Sequence, residues 1–438
     1  MTLPASWCVK PLKHAAHMNL RVLPESTDPD YQFDYIDISN VNEIGDLVSL
    51  QQFRFKDAPS RARRIVVEGD TLISTVRTYL RAIHFVSDPR PDLIASTGFA
   101  VLHPLPGILP EFLWRVVQST PFVERVVAHS DGVGYPAINP STLGALPFWF
   151  PPEAVQRAVV ALLRRETARV DALIEKKGRL ITLLEEKRAA LINRVVTKGL
   201  DPSAPMKDSG IPWLDRVPAH WQVRRIAMAA DTITNGYVGP TRDILVGQGV
   251  GYLQSLHIKN GQVVFDRPYY VTAEWSATHQ KSVLREGDLL IVQTGDLGQC
   301  CAVGVEHVGF NCHALIIVRL KPQYGPGAFL SAFLRSHFGQ AALLSAQTGA
   351  SLPHLECGKV REILVPFPPV EEQHRIISRM DTLTSQIDAV ASKTREQISK
   401  FHEYRTALIS AAVTGKIDVR GSGAESAGVD KCSQIDEH

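Results

Sequence analysis

Two short turns carry the side chains best suited to chemistry with a nucleic acid. The stretch Ser74-Thr75-Val76-Arg77-Thr78-Tyr79-Leu80-Arg81 follows Glu68-Gly69-Asp70 and offers two guanidinium groups with hydroxyls beside them. A guanidinium grips guanine O6 and N7 with both arms or clamps a phosphate, which makes Thr75, Arg77, Tyr79 and Arg81 candidate DNA contacts. Farther along, Gln293-Thr294-Gly295-Asp296 follows Glu286-Gly287-Asp288. Its side-chain amide suits adenine N6 and N7, so Gln293, Thr294 and Gly295 are the matching candidates. Two glycine-bearing turns, Ser130-Asp131-Gly132-Val133-Gly134 and Gln347-Thr348-Gly349-Ala350-Ser351, precede a closing strand in each case. Their exposed amides can approach phosphates, which adds Gly132, Gly134, Thr348, Gly349 and Ser351. Arg61, Arg63 and Arg64 form a basic cluster that serves equally as a solvated face or a phosphate grip.

Catalytic chemistry has no comparable footing. There is no G-x-x-x-x-G-K-[ST] loop, and Gly247-Gln248-Gly249-Val250-Gly251 has the wrong spacing for a dinucleotide turn. Neither H-E-x-x-H nor G-x-S-x-G occurs. Asn139-Pro140-Ser141 lacks the aromatic residue and second proline of an adenine-methyltransferase signature. Cys300, Cys301, His307, Cys312 and His313 lie close together, but adjacent cysteines do not readily share one tetrahedral ion and no C-x-x-C pair exists. They read as buried thiols beside a strand. No catalytic residue, metal site or cofactor site is expected in this chain.

The candidate turns sit in a chain written twice. Pro4-Ala5-Ser6-Trp7-Cys8-Val9 answers Pro218-Ala219-His220-Trp221-Gln222-Val223, and Glu68-Gly69-Asp70 answers Glu286-Gly287-Asp288. From Gly132 and Gly349 onward the copies run without a gap at a shift of 217 residues. Pro151-Pro152 meets Pro368-Pro369, Gln156 meets Gln373, and Asp171-Ala172 meets Asp388-Ala389. The strongest block sets Arg188, Ala190-Leu191-Ile192 and Val196-Thr197 against Arg405, Ala407-Leu408-Ile409 and Val413-Thr414. Divergent fronts and similar backs imply two different jobs at the front and one shared job behind.

The backs predict long helices. After Pro152 and after Pro369 more than 40 residues pass without proline, ending at Gly199 and Gly415. Apolar residues fall on a heptad seam: Leu163, Val170, Leu184 and Leu191 at one position, Ile174, Ile181 and Val195 at the other. Met380, Ile387, Phe401 and Leu408 with Ala391, Ile398 and Ala412 repeat it in register. A helix of about 40 residues is roughly 60 Å long, more than a compact domain needs, so it reads as a strut. The narrow stripes predict that the two helices bury them against each other as an intramolecular coiled coil. Thr167, Lys177 and Arg188, matched by Thr384, Thr394 and Arg405, are polar seam positions that fix register at some cost in strength. The plain alternative packs each helix on its own globular domain.

The fronts read as mixed α/β, with β-rich runs such as Tyr35-Ile36-Asp37-Ile38, Thr71-Leu72-Ile73-Ser74, Leu289-Leu290-Ile291-Val292 and Ala314-Leu315-Ile316-Ile317-Val318 between turn residues. Globular heads are placed at 1–150 and 219–365, and long helices at 151–199 and 366–416. Residues 200–218 are placed as a linker because they are rich in Pro, Gly, Asp and Ser, and 417–438 as a disordered tail. The 438 residues predict about three units, and 45% apolar content excludes disorder over most of the chain. Lys and Arg exceed Asp and Glu by only 47 to 45, so affinity for a polyanion must come from local patches. No signal-peptide core and no long uncharged apolar run is present, and the six cysteines are too sparse for a disulfide framework. A cytoplasmic protein with reduced thiols is expected.

Three segments then carry a family pattern. SGIPWLDRVPAHWQVRRI (Ser209 to Ile226), ILVPFPPVEEQHRII (Ile363 to Ile377) and YRTALISAAVTGKIDVR (Tyr404 to Arg420) closely resemble the specificity subunit of type I restriction-modification systems. Copy one departs from the Pro-Pro-x-x-Glu-Gln motif at Val155, where copy two carries Glu372. The resemblance implies an α/β (α+β) fold with two target-recognition domains, each followed by a long helix, the helices pairing antiparallel as a spacer. It implies a non-catalytic chain that binds double-stranded DNA, two methyltransferase subunits and two restriction/translocase subunits, and no membrane. S-adenosylmethionine, ATP and Mg are then expected on the partners. Two unlike heads at a set distance predict a bipartite asymmetric site with unread bases between the blocks. The rival classes are a coiled-coil scaffold that never touches nucleic acid and a self-contained restriction enzyme or methyltransferase.

Overall fold

The computed structural model describes residues 4, 6–87, 92–132, 134–349, 353–417 and 419. The chain divides into two compact units, one gathering everything up to Gly178 with the stretch from Glu396 onward, the other holding Arg179–Arg395.

In the first unit a four-stranded antiparallel sheet runs in the order Ala16–Met18, Phe99–Pro104, Thr71–Ser74, Ile83–Phe85. Side chains alternate between the faces of a strand, and Thr71–Ser74 is buried on both. Ile73 joins the core built by helices Pro110–Gln118 and Thr120–Ala128, while Leu72 joins a second core with Ile36, Leu93 and Phe99. A second sheet, Gln51–Arg54, Gln32–Ile36, Leu93–Ser96, Ala62–Ile65, adds one parallel pairing.

The second unit repeats the plan with Ala230–Asn235, Leu315–Leu320, Leu289–Val292 and Cys300–Ala302 in that order. Leu289 and Ile291 face the core made with helix Gly327–Arg335, and Leu290 and Val292 face the other. Each Glu-Gly-Asp turn ends in a buried aspartate. Asp70 Oδ2 accepts from the Val67 amide at 3.0 Å and Asp288 Oδ2 from the Arg285 amide at 2.9 Å. His103 donates to Asp70 at 2.7 Å, and the Arg319 guanidinium donates to both oxygens of Asp288. Cys300, Cys301 and Cys312 are buried on strands, and burial pushes the Cys300 thiol up to about 12.

The long helices are Glu153–Lys198 and Val370–Val413, starting at positions one repeat apart. A buried glutamine seats each start. Gln156 donates to the carbonyls of Gly107 and Pro151 and accepts from the Leu109 amide, and Gln373 donates to Tyr324 and Pro368. The Val155 departure leaves the start unchanged, because Glu372 at the equivalent position is engaged elsewhere, with His220 Nε2 at 2.7 Å. Gly199 and Gly415, with φ of +71° and +72°, close the helices in the left-handed conformation that glycine adopts at low cost.

Within each unit the two helices lie side by side. In the first, Val159, Val160 and Leu163 share a core with Ile409, Ala412 and Val413, and Arg405 Nε meets Asp171 Oδ1 at 3.1 Å. In the second, Arg188 meets Asp388 at 3.2 Å while Glu185 meets Arg395 at 3.0 Å, so rising numbers on one helix face falling numbers on the other. The pairing is antiparallel. The polar seam threonines are satisfied by their own helix: Thr167 donates to Leu163 at 2.7 Å and Thr394 to Val390 at 2.8 Å.

One expectation is corrected. Residues 200–218 are not a plain linker, because Met206–Ile211 and Leu214–Pro218 form an antiparallel hairpin whose Ile211, Leu214 and Val217 are buried in the second unit's core. Its charged residues Lys207, Asp208, Asp215 and Arg216 are exposed. The tail expected to be disordered lies outside the described residues from residue 420 on. Among the described residues no helix is long and apolar enough to cross a membrane.

Candidate nucleic-acid interface

In the first unit the two candidate turns form one surface. Ile138 donates its amide to the Thr75 carbonyl at 2.8 Å, Val76 bridges Ala137, and the Arg77 amide donates to Pro136 at 2.8 Å. Asp131 and Ala137 exchange backbone bonds of 2.9 Å, closing the second turn over the first. The hydroxyls of Thr78 and Ser130 meet at 2.9 Å.

Side chains in this surface divide by task. Thr75 is buried and its hydroxyl donates to the Gly98 carbonyl at 2.9 Å, so it holds the turn rather than facing solvent. Arg81 Nη2 donates to the Thr120 hydroxyl at 3.1 Å, tying the turn to a helix. Arg77 and Tyr79 are exposed, as are Gly132 and Gly134. Arg77 and Arg81 have φ of 50° and 54°, a left-handed backbone that costs an L-residue roughly 1–2 kcal/mol. Non-glycine residues held there cluster at functional sites. The Arg77 guanidinium lies 4.6 Å from the ring centroid of Tyr135, a side chain 69% exposed. Tyr135 was not among the candidates, and no spacing signal links it to Arg77. The basic cluster disperses: Arg63 lies over Phe55 at 4.9 Å, and burial pushes the Arg64 guanidinium down.

The second unit uses the same frame. Leu355 donates to the Gln293 carbonyl at 3.0 Å, Thr294 bridges His354, and Gln347–Thr348 pairs with His354–Leu355. Gln293 is half-buried and Gly295 is exposed. The Thr348 hydroxyl donates to Glu356 Oε1 at 2.9 Å and lies 3.1 Å from His354 Nε2. Gly349 follows it with a φ of +87°. Ser351 lies outside the described residues.

Beside Gln293, at the same end of the sheet, stands a ring cluster that the sequence does not advertise. Tyr237 bridges His313, and Leu315 pairs with Val292 next to Gln293. Trp275 stacks on His279 at 3.9 Å, with Tyr237 edge-on to both at 5.2 Å. Among the described residues no three His, Cys, Asp or Glu side chains gather as a metal site. The surface offers guanidinium, phenol, amide, imidazole and backbone N–H groups, all able to hydrogen-bond phosphates and base edges.

Known proteins share this architecture. Residues 229–400 match the family described as the type I restriction modification DNA specificity domain, Methylase_S. The chain is 21% identical over 306 residues to the type I restriction enzyme EcoBI specificity subunit of Escherichia coli. That alignment covers 68% of this chain and 64% of the relative, so the chain spans just under two thirds of it. The MjaIX specificity subunit of Methanocaldococcus jannaschii is 20% identical over 429 residues, 95% of each chain. Among solved structures, a chain from a study of complex assembly and conformational transition of the type I R-M system superposes with a TM-score of 0.75. It is 23% identical over 95% of this chain and 100% of that one. The HsdS subunit from Thermoanaerobacter tengcongensis gives 0.55 at 21% identity, over 95% and 99%. The fold is that of the type I specificity subunits. At residues 229–400 the chain is similar to that DNA specificity domain, and over 95% of its length it is similar to the MjaIX specificity subunit.

Proposed function

We propose that the chain is the non-catalytic, DNA-reading subunit of a type I restriction-modification complex. The first unit reads one block of a bipartite asymmetric site through Arg77, Tyr79 and Tyr135, with the amides of Gly132 and Gly134 toward phosphate. The second reads an unlike block through Gln293, Thr294 and Gly295, with the turn at Thr348 and Gly349 beside it. Thr75 and Arg81 position these groups. The observation that carries this proposal is the shared backbone frame, which presents different polar side chains at equivalent places in the two units.

The chemistry is supplied by partners: two adenine methyltransferase subunits, which use S-adenosylmethionine, and two restriction/translocase subunits, which use ATP and Mg. The repeat gives one chain two similar surfaces for two copies of a partner. The test is duplex retention by the chain purified with its methyltransferase, measured against salt. Binding that weakens steeply as salt rises is expected, because displaced counterions drive it. A complex that holds no duplex of any sequence at low salt hands the assignment to the scaffold class.

A further inference from the structure

The two units carry equivalent grooves of unequal charge. In the first, a groove of about 940 Å³ lies between the start of helix Pro110–Gln118 and the opening turns of the first long helix. Phe85, Pro110 and Val160 form its apolar wall, Arg157, Arg164 and Arg165 line its rim, and Glu68 and Glu111 line it as well, which leaves an excess of one positive charge. The groove of the second unit, about 400 Å³, is built from the equivalent stretches, with Phe329 and Ile377 as its apolar wall. At the three arginine positions, one repeat later, stand His374, Asp381 and Thr382. At these matched positions three guanidiniums stand against an imidazole, a carboxylate and a hydroxyl, so that even with Glu68 and Glu111 counted the first groove is the more positive of the two.

The arginines are available. Arg157, Arg164 and Arg165 have side chains 67%, 70% and 64% exposed. Among the described residues Arg157 and Arg165 pair with Glu153 and Glu166 of their own helix, and pairs whose guanidinium faces solvent hold weakly. Arg164 is committed to Glu111 of the head at 2.5 Å. Two copies of one partner, docked through the repeat, meet the same backbone shape and apolar wall but not the same field. A rim of arginines speeds encounter with an acidic segment and slows its escape, and a rim of Asp381, His374 and Thr382 does neither.

We propose that the groove of the first unit seats an acidic segment of a methyltransferase subunit, and that the second seat, lacking the arginines, takes its copy more weakly. Assembly is then stepwise. This rests on the proposed function, which supplies the partner.

The test is native mass spectrometry of the full chain titrated with its methyltransferase across a salt series. Two binding steps are expected, the tighter one weakening as salt rises. Arg157→Glu combined with Arg165→Glu should weaken the tighter step by about tenfold or more and leave the other in place. His374→Arg with Thr382→Arg should draw the weaker step toward the tighter one, a gain that misfolding cannot imitate. Two equal steps in the unaltered chain, or a charge reversal that changes neither, overturn the proposal. So does a reversal that lowers duplex retention with both methyltransferases still bound, because the groove then belongs to DNA. An unaltered chain that takes up no methyltransferase overturns the proposed function itself, and the seats with it.

Discussion

The backbone amide of Ile138 donates to the carbonyl of Thr75 at 2.8 Å. One repeat later Leu355 makes the same bond to Gln293 at 3.0 Å. In both units this bond locks a closing hairpin onto the end of the central strand, and a bridge to the next residue, Val76 or Thr294, completes the frame. A backbone bond places no demand on side-chain type. The frame is therefore constant while the groups it presents, Arg77 in one unit and Gln293 with Thr294 in the other, are free to differ.

Arg77 offers a way to separate folding from binding. Its φ of 50° favours glycine, so Arg77→Gly should leave the melting temperature unchanged or raise it. Binding of DNA carrying the first block should nevertheless fall by about 1–3 kcal/mol, roughly 5- to 150-fold, if the guanidinium reads a base. Competition binding with duplexes altered in one block at a time checks this. Unchanged affinity for the first block removes Arg77 from the interface.

Gln156 and Gln373 are buried amides that each satisfy carbonyls of the chain entering a long helix. Replacing either by Leu leaves those carbonyls without a donor, at about 1–3 kcal/mol for each group stranded. Thermal melting should show a clear loss for Gln373→Leu and for Gln156→Leu. Belonging to different units, the two losses should add in the double variant. Melting unaltered by both changes would show that the glutamines do not seat the helices.

His257 should make the fold sensitive to mild acid. Its Nδ1 accepts from the Gln254 amide at 2.9 Å and its Nε2 donates to the Arg267 carbonyl at 2.9 Å, which fits the neutral ring. Burial holds its pKa below the ordinary 6.5. The unfolded chain therefore binds this proton first, and stability is lost as pH falls through about 6.5 toward the lower folded value. His84 and His313 are depressed by burial in the same sense. Urea midpoints should drop between about pH 7.5 and about pH 5.5, and His257→Phe should flatten part of that slope while lowering stability at both ends. A slope identical in the variant contradicts the assignment.

Much of the architecture was legible because it rests on periodicity. The proline-free heptads after Pro152 and Pro369 gave both long helices, and the runs Thr71–Ser74 and Leu289–Val292 are strands with those limits. Residues 200–218 misled because composition is blind to which side chains turn inward: Ile211, Leu214 and Val217 are buried while Lys207, Asp208, Asp215 and Arg216 face water. The site was legible only as loops. Arg77 and Tyr135 meet across 58 positions of sequence, and Tyr237 reaches His313 through the sheet, so neither pairing leaves a local trace. Thr75 looked like a reader and is a brace, since only the fold shows that its hydroxyl turns to Gly98.

The claim that two unlike heads read two separate blocks is tested most directly by mapping methylated adenines in cells that carry this gene and in cells that lack it. Gene-dependent methylation is predicted at one pattern made of two short, different blocks around a constant gap. A single continuous site, a palindrome, or no gene-dependent methylation would contradict it.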